Sequence, residues 1–211
     1  MKVLLIGDSI RMFYQKEVIA QLGDDYEVFA PEENCRFSAY VLNSLRFWLN
    51  AFPNPDIIHF NAGLWDTAIL YHEDGCFVSV DNYVKYMKLI LRELKKTGAK
   101  IIIATTTPVS DEKAELPGPM PPAHRNEDII KYNKALLEAF SGEDIVINDL
   151  FSHIYSNKEA FLSEDMIHPN ENGVKLLGKI VAIKIKEVGV CKNPNASSHC
   201  AIKTNDEKTI Q

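Results

Sequence analysis

Five short apolar runs alternate with five longer segments of helical periodicity, and this alternation most constrains the fold. The runs are rich in Ile and Val and are bounded by polar turns, which is typical of buried parallel strands. They cover residues 2–6, 27–30, 56–61, 100–105 and 144–148. The helical segments cover residues 11–22, 40–50, 80–97, 126–141 and 170–187. The pattern predicts an α/β fold built on a parallel sheet of about five strands.

The length of the chain and the end of this pattern predict one domain with a tail. A chain of 211 residues suits a single core. Residues 190–211 lack any periodicity, so we expect residues 1–189 to form the domain and the remainder to be disordered or loosely docked. Residues 110–123 are rich in proline and charge, which predicts a long loop that is either a flap over a site or a mobile connection.

Charge and hydropathy argue against several classes of function. The net charge is −6 and the basic residues are scattered, so no basic stripe is available for a nucleic-acid backbone. No stretch reaches the ~20 apolar residues of a membrane span, and the first residues do not resemble a signal peptide. We therefore expect a cytoplasmic protein that binds neither nucleic acid nor membranes. No pattern in the sequence predicts its oligomeric state.

The cysteines give no sign of a metal or redox site. Cys35, Cys76, Cys191 and Cys200 form no C-x-x-C motif. We expect reduced thiols, and we predict no metal and no cofactor.

Polar blocks follow the predicted strands or precede the last helix. In an open parallel sheet, the carboxyl ends of the strands form the crevice in which ligands bind. The blocks are Gly7-Asp8-Ser9, Asn34-Cys35-Arg36, Asn61-Ala62-Gly63-Leu64-Trp65-Asp66 and Asp165-Met166-Ile167-His168. These blocks are therefore the candidates for a functional site.

Three of these residues have the chemistry of a nucleophilic site. A serine hydroxyl needs a base to remove its proton, and an imidazole needs a carboxylate to fix its tautomer. Of the six histidines, only His168 combines an acid three residues before it, Asp165, with a position on the loop expected at the strand ends. His59 lies inside an apolar strand, where a core histidine is expected. Ser9 at the start of a helix would also offer its backbone N–H to an oxyanion.

Each signal taken alone has a structural alternative. Asp8 and Ser9 suit a helix N-cap, Asp165 a surface acid, Trp65 a core residue and Asn61 a strand-end cap. A phosphate-binding turn at Gly7-Asp8-Ser9 is the least favoured alternative, because no glycine-rich phosphate loop accompanies it.

Together the blocks resemble those of the SGNH/GDSL hydrolase family. The resemblance rests on Gly7-Asp8-Ser9-Ile10, Asn61-Ala62-Gly63-Leu64-Trp65-Asp66 and Asp165-Met166-Ile167-His168-Pro169, and it spans most of residues 1–187. It implies a three-layer α/β/α sandwich with a flavodoxin-like sheet, and ester hydrolysis through an acyl-enzyme. It also implies Ser9 as nucleophile and backbone donor, His168 as general base and then acid, and Asp165 as the orienting carboxylate.

The sequence departs from the family pattern in the third block. That block usually reads G-x-N-D and supplies an Asn donor to the oxyanion, whereas Gly63 and Leu64 are followed here by Trp65 and Asp66. We expect Asn61, at the strand end two residues before Gly63, to replace the missing donor. Trp65 is expected to line the pocket.

The second block lacks the glycine whose N–H usually faces the oxyanion. The backbone N–H of Cys35 or Arg36 and the side chain of Asn34 are the candidate replacements. Arg36 is either a contact for an anionic or sugar substrate or a solvated surface group.

The expected function is hydrolysis of carboxylic esters of small molecules or carbohydrates, with O-acetyl groups on a sugar as the favoured substrate. The alternative is a glycan-binding protein in which the altered blocks have weakened catalysis. The two differ in whether a serine-dependent turnover exists.

Overall fold

A five-stranded parallel sheet forms the centre of the fold. The computed structural model describes residues 1–70, 75–110 and 123–190. The strands are β1 (Lys2–Ile6), β2 (Glu27–Phe29), β3 (Ile57–Phe60), β4 (Lys100–Ala104) and β5 (Val146–Asn148). Their order across the sheet is β2-β1-β3-β4-β5, and every neighbouring pair is parallel.

Helices cover both faces of this sheet. In the described ranges they are α1 (Ser9–Leu22), α2 (Ser38–Ala51), α3 (Val80–Lys95), α4 (Asn126–Ala139), α5 (Leu150–Tyr155), α6 (Lys158–Phe161) and α7 (Glu171–Val190). Helices α1 and α7 pack against each other on one face, whereas α2, α3 and α4 form the layer on the other. The result is a three-layer α/β/α sandwich.

The side chains of β1 show why the sheet is buried on both sides. Successive residues of a strand point to opposite faces. Val3 and Leu5 belong to the core under α1 and α7, whereas Leu4 and Ile6 belong to the core under α2 and α3. A strand buried in this way needs apolar residues at every position, which explains the unbroken apolar run.

The structure confirms the predicted fold class. The five strands and five of the helices lie within three residues of their predicted ends. The short helices α5 and α6 were not predicted, and α7 continues to Val190. Most of the predicted 110–123 loop and of the 190–211 tail lies outside the described residues, as do Cys191 and Cys200. Among the described residues, Cys35 and Cys76 are free thiols, and no helix is long and apolar enough to cross a membrane.

Candidate active site

The candidate site lies where the strand order of the sheet reverses. The chain moves from β1 to β2 on one side and then to β3 on the other side of β1. Two loops separate at such a point and leave a crevice at the carboxyl ends of the strands. Ser9 begins α1 three residues after the end of β1, and Asn61 directly follows β3. The first and third polar blocks therefore meet at this crevice.

Ser9, His168 and Asp165 form one hydrogen-bonded chain. The hydroxyl oxygen of Ser9 lies 2.8 Å from Nε2 of His168. Nδ1 of His168 lies 2.6 Å from Oδ2 of Asp165. With the proton on Nδ1, the imidazole donates to the carboxylate and accepts from the serine hydroxyl. This is the arrangement that activates a serine nucleophile.

The loop between α6 and α7 fixes the carboxylate. Oδ1 of Asp165 accepts the N–H of Ile167 at 2.9 Å, the N–H of His168 at 2.8 Å and the hydroxyl of Ser163 at 2.8 Å. Met166 takes a left-handed conformation, with φ of 64°, to close this turn. Burial opposes ionisation of Asp165, but these hydrogen bonds and the bond from the His168 ring outweigh it and lower its pKa to about 2. The group is therefore a carboxylate at neutral pH.

The turn before α1 presents the side chain of Ser9. Asp8 is the N-cap, and its Oδ1 accepts the N–H of Ile10 at 3.0 Å. Burial is the main influence on this carboxyl and raises its pKa. Ser9 occupies the first position of the helix, where a backbone N–H has no intrahelical acceptor. None of the described residues accepts a hydrogen bond from the Ser9 N–H, so this group is available to an oxyanion.

Asn61 lies beside the turn that carries Ser9 and does not border the pocket. Its Nδ2 donates to Oδ1 of Asp8 at 3.4 Å, and its Oδ1 accepts from the hydroxyl of Tyr14 at 3.5 Å. A Cβ at Gly7 would lie 2.2 Å from Oδ1 of Asn61, so the glycine leaves space for the amide. The amide of Asn61 thus contacts the Asp8 turn and Tyr14 in this structure. That Asn61 replaces the missing oxyanion donor stays a prediction.

The backbone of the second block is also engaged elsewhere. The Cys35 N–H donates to the carbonyl of Gly7 at 3.2 Å, and the Arg36 N–H donates to Oδ1 of Asn34 at 2.8 Å. The exposed guanidinium of Arg36 lies 5.2 Å from the ring centre of Tyr40, in a cation–π contact. The N–H groups of Cys35 and Arg36 therefore donate to partners within these loops. Their role as oxyanion donors stays a prediction.

Asn34 is the predicted polar residue that lines the pocket beside Ser9. Its Oδ1 is occupied by the Arg36 N–H, which orients the amide and leaves Nδ2 as the donor. None of the described residues accepts a hydrogen bond from Nδ2. The pocket has a volume of about 180 Å³ and is bordered by Ser9, Asn34, Leu64, Trp65, Ala68, His124, Ile167 and His168.

In the third block, Trp65 borders the pocket, whereas Gly63 and Asp66 support the surrounding structure. Trp65 borders the pocket, as the sequence predicts. Gly63 has φ of 145°, and a Cβ there would lie 2.1 Å from Oγ1 of Thr106, so the position requires glycine. Asp66 is buried and accepts the N–H of Ser38 at 3.1 and 3.0 Å on its two oxygens, which caps α2. Burial raises the pKa of Asp66 to about 6.

The structure adds three residues that the sequence analysis did not identify. Arg11 is buried, and its guanidinium donates to the carbonyls of Gly7 at 3.3 Å and Glu33 at 2.7 Å, which joins the first two loops. His124 is buried in the pocket wall, where burial first and His168 second lower its pKa to about 4. Nδ1 of His124 has no hydrogen-bond partner among the described residues. These residues belong to no motif, so no sequence signal marked them.

The third addition is Phe13, whose ring stacks on the imidazole of His168 with 4.8 Å between ring centres and 21° between planes. It stands four residues after Ser9, so the two lie on the same face of α1. That spacing is a signal that the sequence analysis did not use.

Solved structures share this architecture. A lipase/acylhydrolase from Enterococcus faecalis is 18% identical with a TM-score of 0.69, over 88% of this chain and 95% of that chain. A GDSL-like lipase from Bacteroides thetaiotaomicron is 15% identical with a TM-score of 0.63, over 88% of both chains. This is the SGNH/GDSL hydrolase fold. Axe2, an acetylxylan esterase from Geobacillus stearothermophilus, is 16% identical with a TM-score of 0.68, over 89% of this chain and 94% of that chain.

Comparisons of sequence add nothing to this finding, because no family model and no curated protein matches the chain. The predicted SGNH fold is nevertheless confirmed by the structural likeness and by the parallel sheet. Within the SGNH fold of this chain, no three His, Cys, Asp or Glu side chains among the described residues are grouped as a metal site would require.

Proposed function

We propose that this chain is a serine esterase that hydrolyses carboxylic esters through an acyl-enzyme. The observation that supports it most is the hydrogen-bonded chain from Ser9 through His168 to Asp165, with distances of 2.8 and 2.6 Å, at the wall of a pocket. A helix cap or a surface acid does not require this alignment, whereas general-base activation of a hydroxyl does.

The proposed reaction begins when the hydroxyl oxygen of Ser9 attacks the ester carbonyl carbon. Nε2 of His168 takes the hydroxyl proton, and Asp165 holds the resulting imidazolium. The backbone N–H of Ser9 and Nδ2 of Asn34 donate to the oxyanion. The carbon–oxygen bond to the alcohol then breaks as His168 returns the proton to the leaving oxygen. Water, activated by the same imidazole, attacks the acyl-enzyme and releases the acid and free Ser9.

The pocket favours a short acyl group. Its volume of about 180 Å³ is comparable with the roughly 150 Å³ cavity that holds one benzene molecule. Leu64, Ala68 and Ile167 make its wall largely apolar, which suits a methyl or short alkyl group. A long fatty acyl chain would exceed this space. Because one of the similar structures is an acetylxylan esterase, we propose an O-acetyl group on a carbohydrate as the substrate.

A second candidate function is glycan binding without turnover. It is favoured by the altered third block and by the engagement of the Asn61 amide and the Cys35 and Arg36 N–H groups in other hydrogen bonds. An oxyanion donor contributes about 2.7 to 4 kcal/mol, so a site without one would be slow. The esterase requires that Nδ2 of Asn34 donate to the oxyanion, whereas glycan binding without turnover does not.

The experiment is release of p-nitrophenol from p-nitrophenyl acetate, followed by release of acetate from acetylated xylan. We expect turnover by the wild type, none by Ser9→Ala, and wild-type turnover by Ser152→Ala, which changes an exposed serine of α5. A fluorophosphonate should label the wild type at Ser9. Turnover that is equal in Ser9→Ala and wild type, or acetylated xylan that is bound while neither ester is hydrolysed, would refute the esterase.

A further inference from the structure

We propose that Phe13 is a positioning residue for His168. The Phe13 ring orients the imidazole of His168 and stabilises the imidazolium that forms during acyl transfer. This inference rests on the proposed esterase function. It concerns a residue that no polar motif includes and that belongs to the exposed part of α1. The proposed reaction with Ser9, His168 and Asp165 does not by itself require an aromatic ring at position 13.

The geometry of the contact is that of a stacked pair. The ring centres of Phe13 and His168 are 4.8 Å apart and their planes differ by 21°. Phe13 is 46% exposed, so the core does not account for its presence. Because α1 also presents Ser9 one turn earlier, a single helix carries the nucleophile and the ring that covers the base.

The stack restrains a motion that the hydrogen bonds leave free. Asp165 and Ser9 contact the two ring nitrogens of His168 at 2.6 and 2.8 Å. The N–H and the lone pair of these nitrogens lie in the plane of the imidazole. Two in-plane contacts define an axis about which the imidazole can still tilt. The Phe13 ring lies against one face of the imidazole and opposes this tilt. Proton transfer depends on that alignment, because hydrogen bonds weaken steeply as their angle falls.

The stack also stabilises the positively charged form of His168. A cation within about 6 Å of an aromatic ring centre is attracted by the ring face. His168 is neutral when it accepts the serine proton and positive afterwards, so the attraction is greater in the transition state than before it. The other titratable groups near the imidazole are the Asp165 carboxylate, the buried Asp8 and the neutral His124. The Phe13 ring adds to the effect of the Asp165 carboxylate.

The test compares kcat/KM against pH for Phe13→Leu, Phe13→Tyr and wild type. Leucine keeps an apolar side chain and removes the ring face, whereas tyrosine keeps the face. We expect Phe13→Leu to lose about two- to fivefold in kcat with little change in KM, and its acid limb to move about half a pH unit lower. Phe13→Tyr should behave like wild type. Phe47→Leu, the same change at an exposed residue of α2, is the matched control.

A second measurement does not depend on turnover. The imidazole carbons of His168 are followed by NMR across the same pH range in the wild type and in Phe13→Leu. A titration midpoint that falls by about half a pH unit in Phe13→Leu supports the stack even if no ester is hydrolysed. A midpoint that is unchanged or higher, or a kcat loss with an unmoved acid limb, would overturn the proposal. Absence of wild-type turnover would refute the esterase alone.

Discussion

Nε2 of His168 lies 2.8 Å from the hydroxyl oxygen of Ser9, although 159 positions separate the two residues along the chain. The contact depends on the packing of α1 against α7, because Ser9 begins the first of these helices and His168 precedes the second. A Cβ at Gly178 of α7 would lie 2.4 and 2.5 Å from the Cγ and Cβ atoms of Glu17 in α1. The close approach of the two helices therefore depends on this glycine.

Gly178→Ala should consequently weaken both the fold and the site. The added methyl must push the helices apart or distort Glu17, and such overpacking costs about 1 to 3 kcal/mol. We expect the free energy of unfolding in urea to fall by that amount, with a lower kcat because the His168 loop shifts. Gly75→Ala is the control, because a Cβ at Gly75 meets no atom of the described residues within 4 Å. Equal stability of Gly178→Ala and wild type would show that the interface is looser than the distances indicate.

Asp165→Asn should reduce kcat by on the order of 10⁴-fold with a small effect on KM, because an amide no longer selects the productive imidazole tautomer. The Asp165 pKa of about 2 means that the wild-type carboxylate is ionised throughout the pH range of the assay. The neighbouring exposed acid offers the control Glu164→Gln. A loss below tenfold for Asp165→Asn would show that Asp165 is not the orienting group.

Asn34 and Asn61 should differ in their effects on catalysis. Asn34→Ala and Asn34→Asp both remove the Nδ2 donor, so kcat should fall by about 10²- to 10³-fold while KM changes little. Asn34→Asp keeps the oxygen that accepts the Arg36 N–H and thereby controls for loss of the turn. Asn61→Ala should mainly lower stability, since its amide bonds Asp8 beneath the site. A larger loss of kcat in Asn61→Ala than in Asn34→Ala would indicate that Asn61 is the oxyanion donor.

The pocket wall should set acyl preference. Trp65→Ala enlarges the pocket and should raise the ratio of butyrate to acetate turnover, measured as kcat/KM, by about tenfold. Ala68→Leu fills the same pocket and should lower that ratio. Both residues border the cavity beside Ser9. If both variants change the two substrates equally, the acyl group binds elsewhere.

Acid should destabilise the protein partly through His59. Burial lowers the pKa of His59 from 6.5 to about 3, so the unfolded chain binds a proton between these values that the folded chain does not. This contribution to stability is complete above pH 6.5 and falls by about 1.4 kcal/mol per pH unit as the pH drops toward 3. Asp66, with its pKa raised to about 6, acts in the opposite direction, so a comparison between variants is needed.

His59→Gln keeps an acceptor for the Asn148 amide, which bonds Nε2 of His59 at 3.1 Å. Its free energy of unfolding, measured in urea from pH 6 to 4, should rise relative to wild type by about 1.4 kcal/mol per pH unit of acidification. Parallel curves for the two proteins would show that His59 takes up its proton in the folded state.

Much of the fold could be predicted because its signals are local. Val3 to Ile6 alternate between two buried faces, and that requirement alone imposes an unbroken apolar run. Tyr83, Met87, Ile90, Leu91 and Leu94 line the buried side of α3 at helical spacing, as their sequence pattern indicates. The short helix α5 was missed because Leu150–Tyr155 is too brief to display a period.

The sequence by itself determined the parallel α/β fold and placed Ser9, Asp165 and His168 at loop positions where strands end or helices begin. Only the tertiary structure decided which donors face the pocket, why Asn61 turns toward Asp8, and that Phe13 and His124 join His168. The periodic patterns of helices and strands depend on residues that are only a few positions apart in the chain. The direction of a side chain in a loop depends instead on which distant partner satisfies its hydrogen bonds once burial excludes water, and that choice exists only in the folded chain.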